Sequence, residues 1–311
     1  MKSNVAPRIA AITLSLAMAA GLSACNRGED PAGEQVTLAV STLNNPFFVD
    51  LRDGAEAEAA ELGLELSVVD AQNDSATQAN QLATAATDGS AGVVINAVDS
   101  AAAGAGLASV TGAEIPVVAV DRAVEGAEVA SLVASDNVAG GEQAAQALAE
   151  ALGGEGKIII LEGVPGASST NERGEGFEKG LAEFDGIESV ASQTAKYDRA
   201  TALDVTTNLL QSHPDVTGVL AMNDEMALGA IQALGSRAGD DVMVVGFDGT
   251  ADGFAAVADG TLHATIAQNP TELGRQSIEV MVKVLAGEEV EALQNVAVDT
   301  VTADNVADFT E

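Results

Sequence analysis

The sequence predicts an α/β chain of two similar, doubly wound parallel-sheet lobes. Three observations carry this. From Val36 onward, short apolar runs rich in β-branched residues alternate with longer Ala-rich amphipathic stretches, the signature of repeated βα units. Runs such as GVVINA (92–97), VVAV (117–120) and KIIIL (157–161) are continuous rather than alternating, as strands covered on both faces require. The 311 residues also exceed the roughly 250–300 that one hydrophobic core serves. Four βα units precede about residue 135 and four or five follow it, so the repetition itself marks two lobes.

The expected strands, in order, are VTLAVS (36–41), LELSVV (64–69), GVVINA, VVAV, ASLVA (130–134), KIIIL, VTGVL (216–220), VMVVGF (242–247) and HATIAQ (263–268). Between them the expected helices are Pro46–Leu62, Ser75–Thr87, Ser100–Gly112, Asn137–Leu152, Ser169–Phe184, Ala200–Ser212, Asp224–Leu234 and Thr271–Leu285. Pro46 suits a first helical turn, and Gly63, Gly89, Gly153, Gly235 and Gly287 suit helix stops. The helix and strand after Gln268 have no place in a sequentially completed second lobe, so the chain is expected to cross back.

The first segment reads as an address. Residues 1–24 carry Lys2 and Arg8 and then an apolar stretch, Ile9 to Leu22, too short for a stable membrane span. The segment ends in Leu22-Ser23-Ala24-Cys25, which resembles the bacterial lipoprotein box and implies cleavage before Cys25 and a diacylglycerol on its thiol. Cys25 is the one cysteine of the chain, so no disulfide framework is possible. Residues 25–35 are polar with Pro and Gly and read as a flexible, lipid-anchored leash. The expected location is extracytoplasmic, exported and tethered to a membrane face.

Composition narrows the function. Against 47 Asp plus Glu stand 13 Lys plus Arg, a formal net charge of -34, which argues against any nucleic-acid partner. Cleavage removes two of the 13 basic residues and no acidic one, leaving 11 against 47. Aromatic residues are 3% of the chain, seven Phe, one Tyr and no Trp, so their positions are informative.

In open α/β sheets ligands bind beyond the carboxyl ends of the strands. Those ends carry Ser41 to Phe48 (STLNNPFF), Asn96, Asp121-Arg122, Tyr197, Asn223-Asp224, Phe247-Asp248 and Gln268. Four of the eight rings, Phe47, Phe48, Tyr197 and Phe247, lie among these amides and carboxylates. That mixture suits a neutral polyhydroxylated ligand, whose hydroxyls both donate and accept and whose C–H faces pack on rings. Taken singly, Asn and Asp at strand ends also serve as helix caps; their recurrence at six or seven ends favours a site.

The stretches VSTLNNPFF (40–48), SDN (135–137), ERGEGF (172–177), HPDV (213–216), NDEMALGA (223–230), DVMVVGFDGT (241–250) and ATIAQ (264–268) resemble the periplasmic ribose-binding proteins, type I substrate-binding components of ABC importers. The likeness runs from about Val36 to the C-terminus. It implies two lobes joined by a three-crossing hinge, the first formed by 36–135 plus 269–297 and the second by 136–268 plus 298–311. It implies ligand contacts from Asn45, Phe47, Phe48, Asp121 and Arg122 in the first lobe. Arg173, Tyr197, Asn223, Phe247 and Asp248 would serve from the second, with Gln268 at the hinge and Ser41 and Asn96 behind or acting through water. Phe47 or Phe48 and Phe247 would sandwich the sugar ring, Asp121 and Asp248 would accept, and Arg122 and Arg173 would donate. Tyr197 departs from the Phe usual in the family, so its hydroxyl could bind water, bind ligand or clash.

The implied partners are a monosaccharide, ribose first, and an ABC permease with its ATPase, with a chemoreceptor as an open addition; a monomer is expected. Another pentose, allose or a furanosyl signalling molecule is the alternative ligand. No cofactor, metal or catalytic role is expected. Gly154-Glu155-Gly156-Lys157 precedes a strand instead of following one and lacks the glycine and hydroxyl of a phosphate loop, and His213 and His263 are not spaced for zinc. A sensor core of a transcriptional regulator would need a basic helix-turn-helix where the signal segment stands. A sugar enzyme would need a nucleophile and base at the strand ends, and none is found there.

Overall fold

The computed structural model describes residues 33–310; the expected signal segment, Cys25 and most of the leash lie outside the described residues. The first half runs β1 (Gln35–Val40), α1 (Pro46–Leu62), β2 (Glu65–Asp70), α2 (Ser75–Ala85), β3 (Gly92–Ile95), α3 (Ser100–Gly106), α4 (Ala108–Gly112), β4 (Val117–Val120) and β5 (Ser131–Ser135). The second runs α5 (Asn137–Ala151), β6 (Glu155–Glu162), α6 (Ser168–Leu181), β7 (Gly186–Thr194), α7 (Arg199–Ser212), β8 (Gly218–Ala221), α8 (Asp224–Leu234), β9 (Met243–Asp248), α9 (Ala251–Asp259), β10 (Ala264–Ala267), α10 (Pro270–Leu285), β11 (Leu293–Val296) and β12 (Asp299–Thr302).

These strands form two six-stranded sheets, ordered β11-β5-β4-β3-β1-β2 and β12-β10-β9-β8-β6-β7. Every pairing is parallel except β10 with β12. The chain passes between the sheets three times: after β5, after β10 and between β11 and β12. Each sheet has its own apolar packing: the first has clusters around Leu38, Leu51, Val94, Val118 and Met281 and around Leu82, Ile95, Leu107 and Val110, the second one around Leu148, Ile159, Phe177, Leu220 and Val245. Fully burying such a side chain contributes about 1.5–3 kcal/mol, so each sheet is held by its own buried side chains.

The helices start where strand-end polar side chains cap them. Asn45 accepts from the Phe47 amide ahead of Pro46 in α1, Asp136 from Ala139 in α5, Asp198 from Thr201 in α7, Asn223 from Met226 in α8 and Asn269 from Glu272 in α10. Such caps satisfy amides that the first helical turn leaves without partners. The left-handed Gly63, φ 75°, ends α1 as expected.

Four elements differ from expectation. The single helix expected over 100–112 breaks at Leu107 into α3 and α4; glycines at 104 and 106 weaken it, and a Cβ at Gly104 would stand 2.2 Å from the Glu125 carbonyl. Strand β7 is an additional edge strand whose residues are all exposed or half-buried, so it has no continuous apolar run to betray it. Helix α9, short and Ala-rich, also lacks a distinct pattern, and two short strands, β11 and β12, stand where one strand was expected after α10.

Helices α1 and α10 cross through glycines: a Cβ at Gly274 would lie 2.0 Å from the Leu51 carbonyl, and one at Gly54 would lie 2.1 Å from that of Thr271. Replacement Gly274→Ala should therefore destabilise by about 1–3 kcal/mol through overpacking. The exposed Gly112, with nothing within 4 Å of its added Cβ, should tolerate Ala with no loss or a gain of up to about 1 kcal/mol. Urea unfolding of both variants checks the pair; equal effects would contradict the close crossing.

Candidate ligand-binding cleft

The strand ends of the two sheets face one another across a cleft lined by ten side chains. From the first sheet come Asn45, Phe47, Phe48, Asp121 and Arg122; from the second side come Ser169, Arg173, Tyr197, Asn223 and Asp248. Nine of the eleven residues expected at a site thus share one surface. The other two stand one layer behind. Phe247 is completely buried, and the Arg173 guanidinium lies 3.7 Å from its ring centroid, so the ring supports an arginine where a sugar-stacking face was expected. Gln268 does not line the cleft; its Nε2 donates to Asp248 Oδ1 at 2.8 Å. Ser41 and Asn96 also lie behind, the Ser41 amide donating to Asn96 Oδ1 and Asn96 Nδ2 to Asp121 Oδ2 at 2.9 Å.

Each lobe contributes one buried guanidinium–carboxylate pair. Arg122 Nε stands 3.5 Å from Asp121 Oδ2, and Arg173 Nη1 stands 3.4 Å from Asp248 Oδ1, all four residues 3–4% exposed. Arg122 Nη1 donates to the Ala97 carbonyl; Arg173 donates through Nε to Asn137 Oδ1 and through Nη1 to the Met222 carbonyl at 2.6 Å. Rings flank both cations, with Phe48 and Tyr197 5.3 and 5.6 Å from Arg122 and Tyr197 5.8 Å from Arg173. Phe47 and Phe48 meet edge to face at 5.1 Å.

Two donors in this network, Arg122 Nε and Asn223 Nδ2, are buried with no hydrogen-bond partner among the described residues, as are Ser41 Oγ and Gln268 Oε1 in the layer behind. A buried unmet donor costs about 1–3 kcal/mol, so Arg122 Nε and Asn223 Nδ2 mark where oxygen acceptors of a ligand would relieve a penalty. Carboxylates to accept, guanidinium and amide groups to donate, and nearly matched charge together suit a neutral molecule with several hydroxyls. Among the described residues no cluster of three metal-ligating side chains occurs.

Sequence reasoning missed Ser169, which lies on a helix and not at a strand end. Its spacing of four residues before Arg173 places both on one face of α6, and that spacing is the signal that could have found it. It also missed what Asp224 does. This fully buried carboxylate accepts from the Thr250 amide at 2.8 Å, from Thr250 Oγ1 and from Thr265 Oγ1 at 2.7 Å, stapling the turn after Asp248 to the start of α8.

Burial drives the carboxyl groups upward. Desolvation raises Asp248 to about 8 against the opposing Arg173, with Asp224 and Asp121 adding repulsion. It raises Asp224 to about 6 against its hydroxyl and amide donors, and raises Asp121 against Arg122, Arg173 and Asn96. A native value above the unfolded one means that each group favours folding while protonated; that contribution is complete below about pH 4 and is lost as pH rises through the native value. Ligand-free stability should therefore fall through about pH 6 for Asp224 and about pH 8 for Asp248. The variant Asp248→Asn should lose the upper part of that fall, measured by urea unfolding between about pH 5 and pH 9; an unchanged profile would contradict the assignment.

Residues 36–289 match the model of a periplasmic binding protein domain. The chain is 46% identical over 278 residues to the ribose import binding protein of Salmonella typhimurium, covering 89% of this chain and 94% of that one. It is also 46% identical over 256 residues to the ribose import binding protein of Bacillus subtilis, with 82% and 83% covered. A solved ABC transporter periplasmic solute binding protein from Actinobacillus succinogenes with bound D-allose superposes with a TM-score of 0.82 at 31% identity, covering 88% of this chain and 99% of that one. These relatives are binding proteins and not enzymes. With a family match over most of its length and relatives of this identity, the chain belongs to the periplasmic binding protein family.

Proposed function

We propose that this protein is the extracytoplasmic substrate-binding component of a monosaccharide ABC importer, with D-ribose as its ligand. The observation that carries the reading is the pair of buried Arg–Asp units, one from each lobe, facing each other with Arg122 Nε and Asn223 Nδ2 still unmet. Asp121 and Asp248 accept from sugar hydroxyls, Arg122, Arg173 and Asn223 donate, Asn45 adds an amide, and Phe47, Phe48 and Tyr197 cover C–H faces. Phe247 and Gln268 act from behind, holding Arg173 and Asp248. Closure of the lobes on the sugar is the signal that the permease with its ATPase reads. Ribose is preferred because the relatives at 46% identity are named for it; the allose-bound relative and Tyr197 in place of the family's usual Phe support a related aldose as the second reading.

We further place the mature N-terminus at Cys25, lipidated, with residues 25–35 as tether to the membrane and residues 36–135 plus 269–297 and 136–268 plus 298–311 as the two lobes. In cells, Cys25→Ala should move the protein from the membrane to the soluble fraction; continued membrane retention would remove the anchor from the proposal.

A calorimetric and thermal-shift panel of free monosaccharides tests the ligand. Ribose should bind and raise Tm, and Asp121→Ala or Arg122→Ala should abolish the shift. Either change also strands a buried charge and destabilises the unliganded fold by about 3–5 kcal/mol, so the shift is read against each variant's own ligand-free Tm. Retained affinity in both variants would sink the site, and tighter binding of another sugar would replace ribose.

A further inference from the structure

Helix α2 lines no part of the cleft, yet it carries a buried glutamine bonded to the layer that supports it. The residues that α2 buries are Gln78, Leu82 and Ala85, one stripe at helical spacing in which an apolar side chain belongs at the first position. Gln78 is 3% exposed. A side-chain amide buried there costs free energy unless its ends are bonded. Both ends are: Nε2 donates to the Asn96 carbonyl at 2.9 Å, and Oε1 accepts from the Val98 amide at 3.0 Å. A carbonyl only accepts and a backbone N–H only donates, so the Gln78 amide has a single orientation.

These two backbone groups lie just past the end of β3. The Asn96 amide still donates to the Ala39 carbonyl of β1, and the β1–β3 ladder stops there. Residues 96 to 98 are buried, and buried backbone groups require partners; Gln78 supplies those that the sheet no longer provides. The clamped segment carries both halves of the first lobe's ion pair. Asn96 Nδ2 donates to Asp121 Oδ2 at 2.9 Å, and the Ala97 carbonyl accepts from Arg122 Nη1 at 3.0 Å. Ala97 sits between the two residues that Gln78 grips, so the clamp sets the direction of the carbonyl that holds the guanidinium.

We propose that Gln78 is the positioning residue of the Asp121–Arg122 pair and that sugar affinity depends on it although it touches no ligand. This rests on the sugar-binding reading above and adds to it a determinant of affinity that lies outside the cleft and acts through the first lobe alone. Rotation of residues 96 to 98 would carry the Asp121 carboxyl group and the Arg122 guanidinium away together, because both hang on that segment.

Calorimetry on the mature protein with D-ribose, or with the tightest sugar of the panel, provides the test. Gln78→Met keeps the volume and removes both bonds; it should weaken binding about three- to thirtyfold, the range for residues that act on a site without touching the ligand. Combined with Asn96→Ala, the loss should fall short of the product of the single losses, because both act on one ion pair. Combined with Asn223→Ala from the second lobe, the losses should multiply. Gln78→Glu separates positioning from packing. Its carboxylate still accepts from the Val98 amide but sets its second oxygen against the Asn96 carbonyl, and protonation restores the donor. Burial raises such a carboxyl group, and the acidic groups around it raise it further: Asp99 in the crevice that α2 shares with α3, Asp74 at the start of α2, and Asp121 beyond Asn96. The loss in Gln78→Glu relative to wild type should therefore shrink toward about pH 5 and widen toward about pH 8, the titrations of Asp121, Asp224 and Asp248 being common to both proteins. This second variant keeps the test open should Gln78→Met fold poorly. Affinity of Gln78→Met within about twofold of wild type, full multiplication with Asn96→Ala, or a Gln78→Glu loss that is flat with pH would overturn the positioning role alone. Failure of the wild type to bind any sugar would overturn the reading beneath it and this inference with it.

Discussion

Burying two arginines and two aspartates within one cleft is the constraint from which the rest of this molecule follows. Removing such ions from water costs several kcal/mol each even after relaxation, and mutual attraction repays this only with good geometry and additional hydrogen bonds. The protein supplies both from its backbone. Asp121 and Asp248 stand in left-handed or otherwise positive-φ conformations, 66° and 120°, which cost of order 1–3 kcal/mol apiece and persist only where neighbours over-determine them. For Asp248 those neighbours are Gln268 and Arg173 on its carboxylate and Asp224 on the turn that follows. Around Asp224 the chain needs Gly246 and Gly253, since an added Cβ at either would stand 2.4 or 2.2 Å from a carboxylate oxygen. A carboxyl group at the cleft surface is thus held by a second buried carboxyl group and by two glycines beneath it.

The same economy appears in the helix caps. An asparagine at a strand end can be read as a cap or as a ligand contact, and here one side chain divides the work. Asn223 Oδ1 accepts from the Met226 amide and fixes the start of α8, while Nδ2 is left buried at the cleft without a partner among the described residues. Asn45 likewise spends its oxygen on the Phe47 amide while lining the cleft. Capping fixes each amide in one orientation before any ligand arrives, which lowers the ordering cost of binding.

What the sequence made legible follows from where burial is continuous. Central strands such as β3, β4 and β8 are buried at every position, and their unbroken apolar runs announce them. Edge strand β7 is buried at none, so its polar alternation merges with the loops. At the cleft, proximity to a strand end predicted which residues gather there but not which layer each occupies. Phe247 and Asp248 are consecutive on β9 and point to opposite sides of it; only the position of Arg173, which comes from α6, decides that the ring lies beneath a guanidinium. Ser169 was invisible to a search of strand ends because its position is set by the pitch of a helix.

The scarcity of aromatic residues then takes on a sharper meaning. Three of the four rings at the strand ends lie within 6 Å of a guanidinium: Phe48 and Tyr197 at Arg122, Tyr197 and Phe247 at Arg173. A ring face near a desolvated cation contributes about 2 kcal/mol or more, and it supplies this without adding a charge or a competing hydrogen-bond acceptor. Carboxylates alone could balance the arginines, yet each further carboxylate would occupy the donors that a ligand needs and would raise its neighbours by repulsion, as Asp224 and Asp121 already do to Asp248. Rings hold the guanidinium planes in place and leave their N–H edges available. In a chain so acidic over its length, neutrality inside the cleft depends on using phenyl and phenol faces where the remainder of the molecule would use Asp or Glu.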